Sequence, residues 1–145
     1  MIAIGADHGG YELKEAVKKH LEERNIEFKD FGTYTGEAVD YPVIAKQVGE
    51  AVAGGDFECG ILVCGTGIGM SIAANKVKGI RAACCSDTFS ARFTKMHNNT
   101  NILCFGGRVL GQGLALDIVD AFLDAEFERG RHEKRVNMIM EIENN

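Results

Sequence analysis

Tryptophan is absent from this sequence, proline occurs once, and no apolar run is long enough to cross a membrane. A membrane-spanning helix needs about 18 to 20 consecutive apolar residues, so we expect no membrane partner. The first ten residues lack the basic and apolar segments of a signal peptide. No proline- or serine-rich linker divides the chain, and we predict a single domain over residues 1–145.

The chain also has no large excess of positive or negative residues. The net charge of -5 argues against a broad nucleic-acid surface, and we expect no nucleic-acid partner. The five cysteines are odd in number and none form a C-x-x-C pair, which favours reduced thiols and a cytoplasmic location. No group of His, Cys and Asp has metal-ligand spacing, so no metal site is expected, and the G-x-S-x-G elbow of hydrolases is absent.

The sequence does contain a regular alternation of short apolar runs with helical patterns. The runs are bounded by turn residues and are typical of buried strands. The predicted strands are, in order, MIAIGA, IEFKDFG, GILVC, IRAACC and NILCFGG. The predicted helices cover the surroundings of residues 13–21, 44–52, 68–77, the segment after a Ser86-Asp87 cap, 114–122 and 131–143.

This alternation predicts an α/β fold, a Rossmann- or flavodoxin-like three-layer sandwich. Its five-stranded parallel sheet would carry helices on both faces and end with a C-terminal helix. We predict the strand order 2-1-3-4-5. Ligands of such sheets bind beyond the carboxyl ends of the strands, where the order reverses between strands 1 and 3. The loops at that point are residues 7–10 and 64–69.

The second of these loops, CGTGIG at residues 64–69, places three glycines after a cysteine. Glycines let the backbone approach a ligand, and the free N–H groups of the following helix favour an anion. The loop fits neither the Rossmann fingerprint, since Met70 stands where the third glycine belongs, nor the P-loop. A plain strand-to-helix turn also fits it.

Cys64 lies where the strand ends and the loop begins. A helix N-terminus favours the thiolate form, so Cys64 could act as a base or a nucleophile. It could equally be a small apolar residue of the core. That second interpretation is the one we adopt for the cysteines in or beside strands, which are Cys59, Cys84, Cys85 and Cys104.

Further polar candidates lie at strand ends or near the C-terminus. Asp7 and His8 follow strand 1 and either bind a ligand or form a turn that caps a helix. His97 either acts in a site or lies in a surface loop. Arg131 and Arg135 are four apart, so on a helix they share a face that could bind a dianion, unless they form a solvated basic tail.

Three other residues are placed by their surroundings. Arg108 follows strand 5, at the edge of the sheet where a ligand is expected. His20 lies near the apolar face of the first helix, and we expect it to be structural. His132 lies between the arginines of RGRHEKR, and we expect it to be exposed.

An ordered set of motifs covers nearly the whole chain: GADHGG, DYP, CGTGIGMSIAANK, GIRAA, HNNTNIL, GGRV and GRHEKRV. Together they resemble the ribose-5-phosphate isomerase B family, which also includes the galactose-6-phosphate isomerase subunits. The resemblance implies an aldose–ketose isomerase that acts on a sugar phosphate and needs no cofactor. It also implies a homodimer, or a dimer of dimers, with the active site between subunits and with His97 and Arg108 reaching in from a neighbour.

The resemblance further implies a role for each candidate. Cys64 would be the base that moves a proton between C1 and C2, Thr66 would support it, and His97 would open the sugar ring with help from Asp7. Asp7 and Thr66 would also contact the substrate. The loop amides would hold the enediolate oxygen, and Asn98 would bind the sugar. His8 and three arginines would bind the phosphate. The remaining implied binding residues are Gly65, Gly67, Ile68, Gly69, Arg108, Arg131 and Arg135.

The leading activity is therefore the interconversion of ribose 5-phosphate and ribulose 5-phosphate through a cis-enediolate. A close alternative is isomerisation of a six-carbon phosphate such as allose 6-phosphate or galactose 6-phosphate. A non-catalytic sensor of phosphosugars or nucleotides would bind a ligand without turnover and would not need Cys64. A flavodoxin-like electron carrier is disfavoured, because tryptophan is absent and aromatic residues make up only 8% of the chain.

Overall fold

A computed structural model describes residues 1–144 and confirms the α/β alternation. The strands are β1 (Ile2–Ala6), β2 (Phe28–Asp30), β3 (Cys59–Cys64), β4 (Ala82–Cys84) and β5 (Ile102–Gly106). The helices are α1 (Tyr11–Glu23), α2 (Tyr41–Ala53), α3 (Ile68–Ala74), α4 (Thr88–Asn98), α5 (Gln112–Leu123) and α6 (Gly130–Ile142). Every strand pair of the sheet is parallel.

The strand order is β2-β1-β3-β5-β4, so the predicted order is wrong for the last two strands. All five residues of β5 are buried, whereas β4 has only three residues and none of them is fully buried. A strand inside a parallel sheet is covered on both faces, and a short strand suits the edge. The order still reverses between β1 and β3, as predicted, which keeps the expected ligand position at the same place.

Successive residues of each central strand point to opposite faces of the sheet. In β3, Ile61 and Val63 face an apolar cluster formed with α1, α4 and α5. Leu62 and Cys64 face a second cluster formed with α2 and α3. Helix α6 packs on α4 instead of on the sheet. The apolar core therefore has two layers, one on each face of the sheet. The loops at the carboxyl ends of the strands lie along one edge of the sheet, between the helices of the two faces.

The helix termini follow from local chemistry. Pro42 lies in the first turn of α2, where its missing N–H costs nothing. Asp87 caps α4, and its carboxylate accepts a hydrogen bond of 2.6 Å from the Ser90 N–H. Helix α3 ends at Ala74, three residues earlier than the sequence predicts. Among residues 1–144, no helix is both long enough and apolar enough to span a bilayer.

A buried ion pair ties α1 to the end of β2. The Lys14 side chain has no exposed surface, and its Nζ donates to both Asp30 carboxylate oxygens at 2.9 and 2.8 Å. The same Nζ donates to the Thr33 carbonyl at 2.6 Å. Burial acts to raise the pKa of Asp30, but hydrogen bonds from Lys14, the Gly32 N–H and Lys18 hold it below its ordinary value. The carboxylate is therefore stabilised by folding.

Replacing Lys14 by methionine should lower the free energy of unfolding by about 3 kcal/mol, because it leaves a largely buried carboxylate with Lys18 as its one remaining lysine. Since folding depresses the pKa of Asp30, this contribution is complete above the unfolded pKa of about 4 and is lost as the pH falls further. Urea titrations at neutral and acidic pH measure it. The control is Lys46→Met, which removes an exposed pair with Glu50 and should cost under about 0.5 kcal/mol. Equal losses in the two variants would contradict this role of Lys14.

Candidate active site

Three loops meet at the carboxyl edge of the sheet because β1, β3 and β5 are adjacent strands. The Asp7 N–H donates to the Val63 carbonyl at 3.2 Å, and the Gly107 N–H donates to the Cys64 carbonyl at 2.8 Å. The Arg108 N–H donates to the Gly65 carbonyl at 3.0 Å. These bonds extend the sheet pairing into the loops, so the loops are fixed relative to one another.

Cys64 is the last residue of β3 and is only 5% exposed. Its Sγ accepts a hydrogen bond of 3.1 Å from the Gly67 N–H, while the rest of the side chain borders the cluster that contains Leu62 and Met70. The surroundings of Cys64 thus agree in part with each interpretation, the functional thiol and the small apolar core residue. The thiol is packed like a core residue, yet its sulfur is held by an amide of the glycine loop.

The glycine loop has a shape that larger residues would disturb. Gly67 has φ 84°, and a Cβ there would lie 2.7 Å from the Phe105 backbone. A Cβ on Gly69 would lie 2.7 Å from the Tyr41 ring, so this ring packs directly on the loop. Of the five amides from residue 65 to residue 69, that of Gly67 is engaged by Cys64 and that of Ile68 donates to Thr66 Oγ1 at 3.2 Å. The other three are the available loop donors.

Cys84 approaches the same loop from β4. Its Sγ lies 3.6 Å from the Thr66 carbonyl, in the geometry of a weak S–H donor. Burial, followed by the nearby Cys64 sulfur, raises the pKa of Cys84, which keeps the donor proton in place. Cys84 is nevertheless exposed. The prediction that it is an apolar core residue is therefore wrong, because β4 is an edge strand.

Asp7 and His8 occupy the loop after β1. The Asp7 carboxylate accepts hydrogen bonds from the Gly9 N–H at 2.9 Å and the Gly10 N–H at 3.2 Å, so the turn interpretation is confirmed for this residue. His8 is exposed and lines a cleft of about 500 Å³. The other residues lining this cleft are Gly9, Tyr11, Glu12, Leu13, Thr35, Gly36, Gly107 and Arg108.

Arg108 lies over the glycine loop of its own chain. Its Nη1 is 3.6 Å from the position that a Cβ of Gly65 would take. The expectation that Arg108 reaches this edge from a neighbouring subunit is therefore wrong. The reason is the strand order, since β5 lies directly beside β3 and delivers the loop that follows it to the Cys64 edge.

The other predicted site residues lie at the opposite edge of the sheet. Helix α4 begins after β4 and runs back, so its last turn, with His97 and Asn98, lies near the start of β5. Its 11 residues span about 16 Å. Helix α6 stays at the same edge, where Arg81 Nη1 lies 3.3 Å from the Met140 sulfur. Within one chain, Cys64 and His97 therefore do not meet.

At that edge, His97 stacks on His132. The ring centroids are 4.1 Å apart and the planes differ by 10°. The side chain of His132 is only 12% exposed, so the prediction that it is exposed is wrong. Partial burial, the His97 ring and the Arg131 guanidinium lower the pKa of His132, which favours the neutral imidazole. Arg131 and Arg135 are both exposed in α6, beside this pair.

Sequence reasoning missed three residues that the structure brings to these two groups, namely Tyr41, Glu128 and His132. Tyr41 packs on Gly69, and Glu128 lies beside the stacked rings of His97 and His132. The motifs DYP and GRHEKRV contain Tyr41 and His132, so the only available signal was their presence in the ordered motif set. Glu128 had no signal, because its contacts depend on how α4 and α6 pack.

The fold defines a doubly wound α/β protein, and the cleft lined by His8 and Arg108 lies at the switch point of its parallel sheet. The family model described as Ribose/Galactose Isomerase matches residues 2–139. The chain belongs to this family, which confirms the resemblance drawn from its motifs and makes it a sugar-phosphate isomerase.

Individual relatives agree with this membership. Ribose-5-phosphate isomerase B of Escherichia coli K12 is 54% identical over 142 residues, which are 98% of this chain and 95% of that protein. The ribose-5-phosphate isomerase B structure from Clostridium thermocellum is 55% identical, with a TM-score of 0.97 over 99% of this chain and 97% of that one. The Mycoplasma genitalium enzyme, solved with bound ribulose-5-phosphate, is 39% identical, with a TM-score of 0.95 over 99% and 96%.

Proposed function

We propose that this chain interconverts ribose 5-phosphate and ribulose 5-phosphate, with Cys64 as the base and without a cofactor. One observation carries the proposal: the Cys64 sulfur is held by the Gly67 N–H at the carboxyl edge of the sheet, next to the His8–Arg108 cleft. The names of the relatives agree with a pentose phosphate as substrate.

In the proposed reaction, the Cys64 thiolate removes the proton from C2 of the open-chain aldose. The C–H electron pair forms the C1–C2 double bond, and the carbonyl electrons move to O1 as negative charge. The thiol then returns the proton to C1, while the proton of the O2 hydroxyl passes to O1, so that O2 becomes the ketose carbonyl and O1 becomes a hydroxyl. The hydrogen bond from the Gly67 N–H fixes the position of the sulfur at the carboxyl edge of the sheet, where this step requires it.

The glycine loop would stabilise the enediolate that forms between the two proton transfers. The amides of Gly65, Thr66 and Gly69 are the loop donors left for this oxygen, because those of Gly67 and Ile68 are already engaged. Fixed donors of this kind contribute about 3–4 kcal/mol each in oxyanion sites. Tyr41 and the Cys84 thiol hold the loop in shape from either side. The Asp7 carboxylate accepts hydrogen bonds from the amides of Gly9 and Gly10, and it would thereby fix the loop that faces the oxygens of the sugar ring.

The substrate phosphate would lie where cations are concentrated. His8 and Arg108 line the cleft at the Cys64 edge. Arg131 lies at the start of α6, where the helix dipole disfavours a cation, and Arg135 follows one turn later. A bound dianion would relieve this repulsion, which is a physical reason for the two arginines to share a face.

A complete site requires a second copy of the chain, because four of the proposed residues lie at the edge of the sheet opposite to Cys64. These residues are His97, Asn98, Arg131 and Arg135. We therefore propose a homodimer in which His97 of one subunit opens the sugar ring above Cys64 of the other. Exposed apolar side chains agree with such an interface. They include Ile68 and Ile72 on α3 and Met138, Ile139 and Ile142 on α6.

The activity is tested by following ketose formation from ribose 5-phosphate in deuterated water without added metal. We expect turnover, with solvent deuterium entering at the carbon that receives the proton. Binding of the sugar phosphate without turnover would instead support the sensor. Turnover without any label would exclude an exchanging enediolate and point to direct hydride transfer.

A six-carbon phosphate is the second candidate substrate, because the family description names galactose as well as ribose. Comparing kcat/KM for ribose 5-phosphate, allose 6-phosphate and galactose 6-phosphate separates the two. A higher kcat/KM for either hexose phosphate would identify that compound as the substrate in place of ribose 5-phosphate. The proposed chemistry of Cys64 would stay the same. A galactose-type enzyme should also require a second, different chain.

Replacing Arg135 by alanine should raise KM by about tenfold or more while changing kcat less. A guanidinium–phosphate contact is made in both the ground state and the transition state, and a charge-assisted hydrogen bond is worth about 1.5–3 kcal/mol. Steady-state kinetics measure the effect. The matched control is Lys134→Ala, which removes an exposed cation from the preceding position. A fall in kcat at unchanged KM would contradict a phosphate contact.

A further inference from the structure

A compact group of potential metal ligands lies between α4 and α6. His97 is in the last turn of α4, Glu128 is in the segment before α6, and His132 is in the first turn of α6. The Glu128 carboxylate oxygens lie 3.9 Å from His97 Nε2 and 3.5 Å from His132 Nε2. One ligand atom from each residue lies within 4.8 Å of the other two. These separations suit an ion pair with a protonated imidazole but are too long for strong hydrogen bonds, so the ligand atoms are not held in a tight hydrogen-bonded network.

The arrangement is partly preorganised. Stacking holds the two imidazole rings side by side with their centroids 4.1 Å apart, and the Glu128 N–H donates to the Met96 carbonyl at 3.0 Å, which fixes the segment against α4. Bonds of about 2.0–2.2 Å at tetrahedral angles require ligand atoms roughly 3.3 Å apart. Imidazole lone pairs lie in the ring planes, so both rings can bind one ion only after one of them rotates out of the stack. The side chains of His97 and Glu128 are 35% and 43% exposed, which leaves room for this rotation.

Two imidazoles and one carboxylate are the ligand set of many zinc sites that keep a fourth position open. We propose that His97, Glu128 and His132 bind a divalent transition-metal ion such as Zn²⁺. The negative charge of Glu128 favours the ion, whereas the positive charges of Arg131 and Arg135 oppose it. A bound ion occupies the lone pair of His97. It therefore inhibits the isomerase, a consequence that rests on the proposed function of His97.

Binding is tested directly on the untagged full chain with Co²⁺, whose visible absorption reports its ligands. We expect about one Co²⁺ per chain, displaced by Zn²⁺. Glu128→Gln and His132→Gln should each weaken binding at least tenfold. His20→Gln, which alters a histidine paired with Asp120, and Cys84→Ser, which removes the exposed thiol, should leave binding unchanged. The proposed metal site would be overturned if the folded wild-type chain bound no Co²⁺. It would also be overturned if the Glu128 and His132 variants bound Co²⁺ as tightly as the wild-type chain.

Inhibition is measured separately, by ketose formation at increasing Zn²⁺. The wild-type chain should lose activity over the range in which the metal binds, and His132→Gln should need at least tenfold more Zn²⁺ for the same fractional loss. Metal binding without inhibition would overturn the role of His97 in turnover and leave the metal site standing. Inhibition that is unchanged in His132→Gln but lost in Cys84→Ser would assign the effect to the thiol and overturn the inference.

Discussion

Replacing Cys64 by alanine is expected to lower kcat by about 10²- to 10⁴-fold, the contribution of a positioned acid–base group. The sulfur is the only group at the end of β3 that can carry the proton between C1 and C2 in the proposed reaction. The loop amides remain in the variant, so the substrate is still bound and KM changes little. Steady-state assays with ribose 5-phosphate, combined with circular dichroism to establish folding, measure the loss.

Cys59→Ala is the matched control, because Cys59 is buried at the other end of the same strand. It removes the same atoms from the apolar cluster on the opposite face of the sheet and should cost stability but little turnover. Cys64→Ser adds a second comparison. Serine keeps an acceptor for the Gly67 N–H, yet a hydroxyl ionises far less readily than a thiol. Near-normal turnover in Cys64→Ser would remove Cys64 as the base.

The elements of the fold were predictable because each depends on local pattern. Apolar runs between turn residues gave all five strands, and the Asp87 cap marked the start of α4. The order of β4 and β5 was not predictable from the same pattern. It depends on how much of each strand is covered, and IRAACC is nearly as apolar in sequence as NILCFGG. Only the packed structure leaves β4 half-exposed at the edge.

The Cys64 half of the site was predictable for a topological reason. Parallel strands bring all their carboxyl ends to one edge, so residues that follow β1, β3 and β5 must meet there. His97 lies in the last turn of α4, and this end of the helix lies at the other edge of the sheet. Its pairing with His132 depends on the packing of α4 against α6, and the two residues are far apart in sequence. No spacing rule could have detected them.

The central claim is that one active site is built from two chains, with Cys64 from one and His97 from the other. Co-expressing Cys64→Ala and His97→Gln chains with different tags, and purifying the species that carries both tags, tests it most directly. In such a dimer, one site carries both changes and the other carries neither. The account predicts about half of the wild-type kcat, although each parent homodimer is nearly inactive. A mixed dimer as inactive as its parents would contradict the account, because it would mean that each site lies within a single chain.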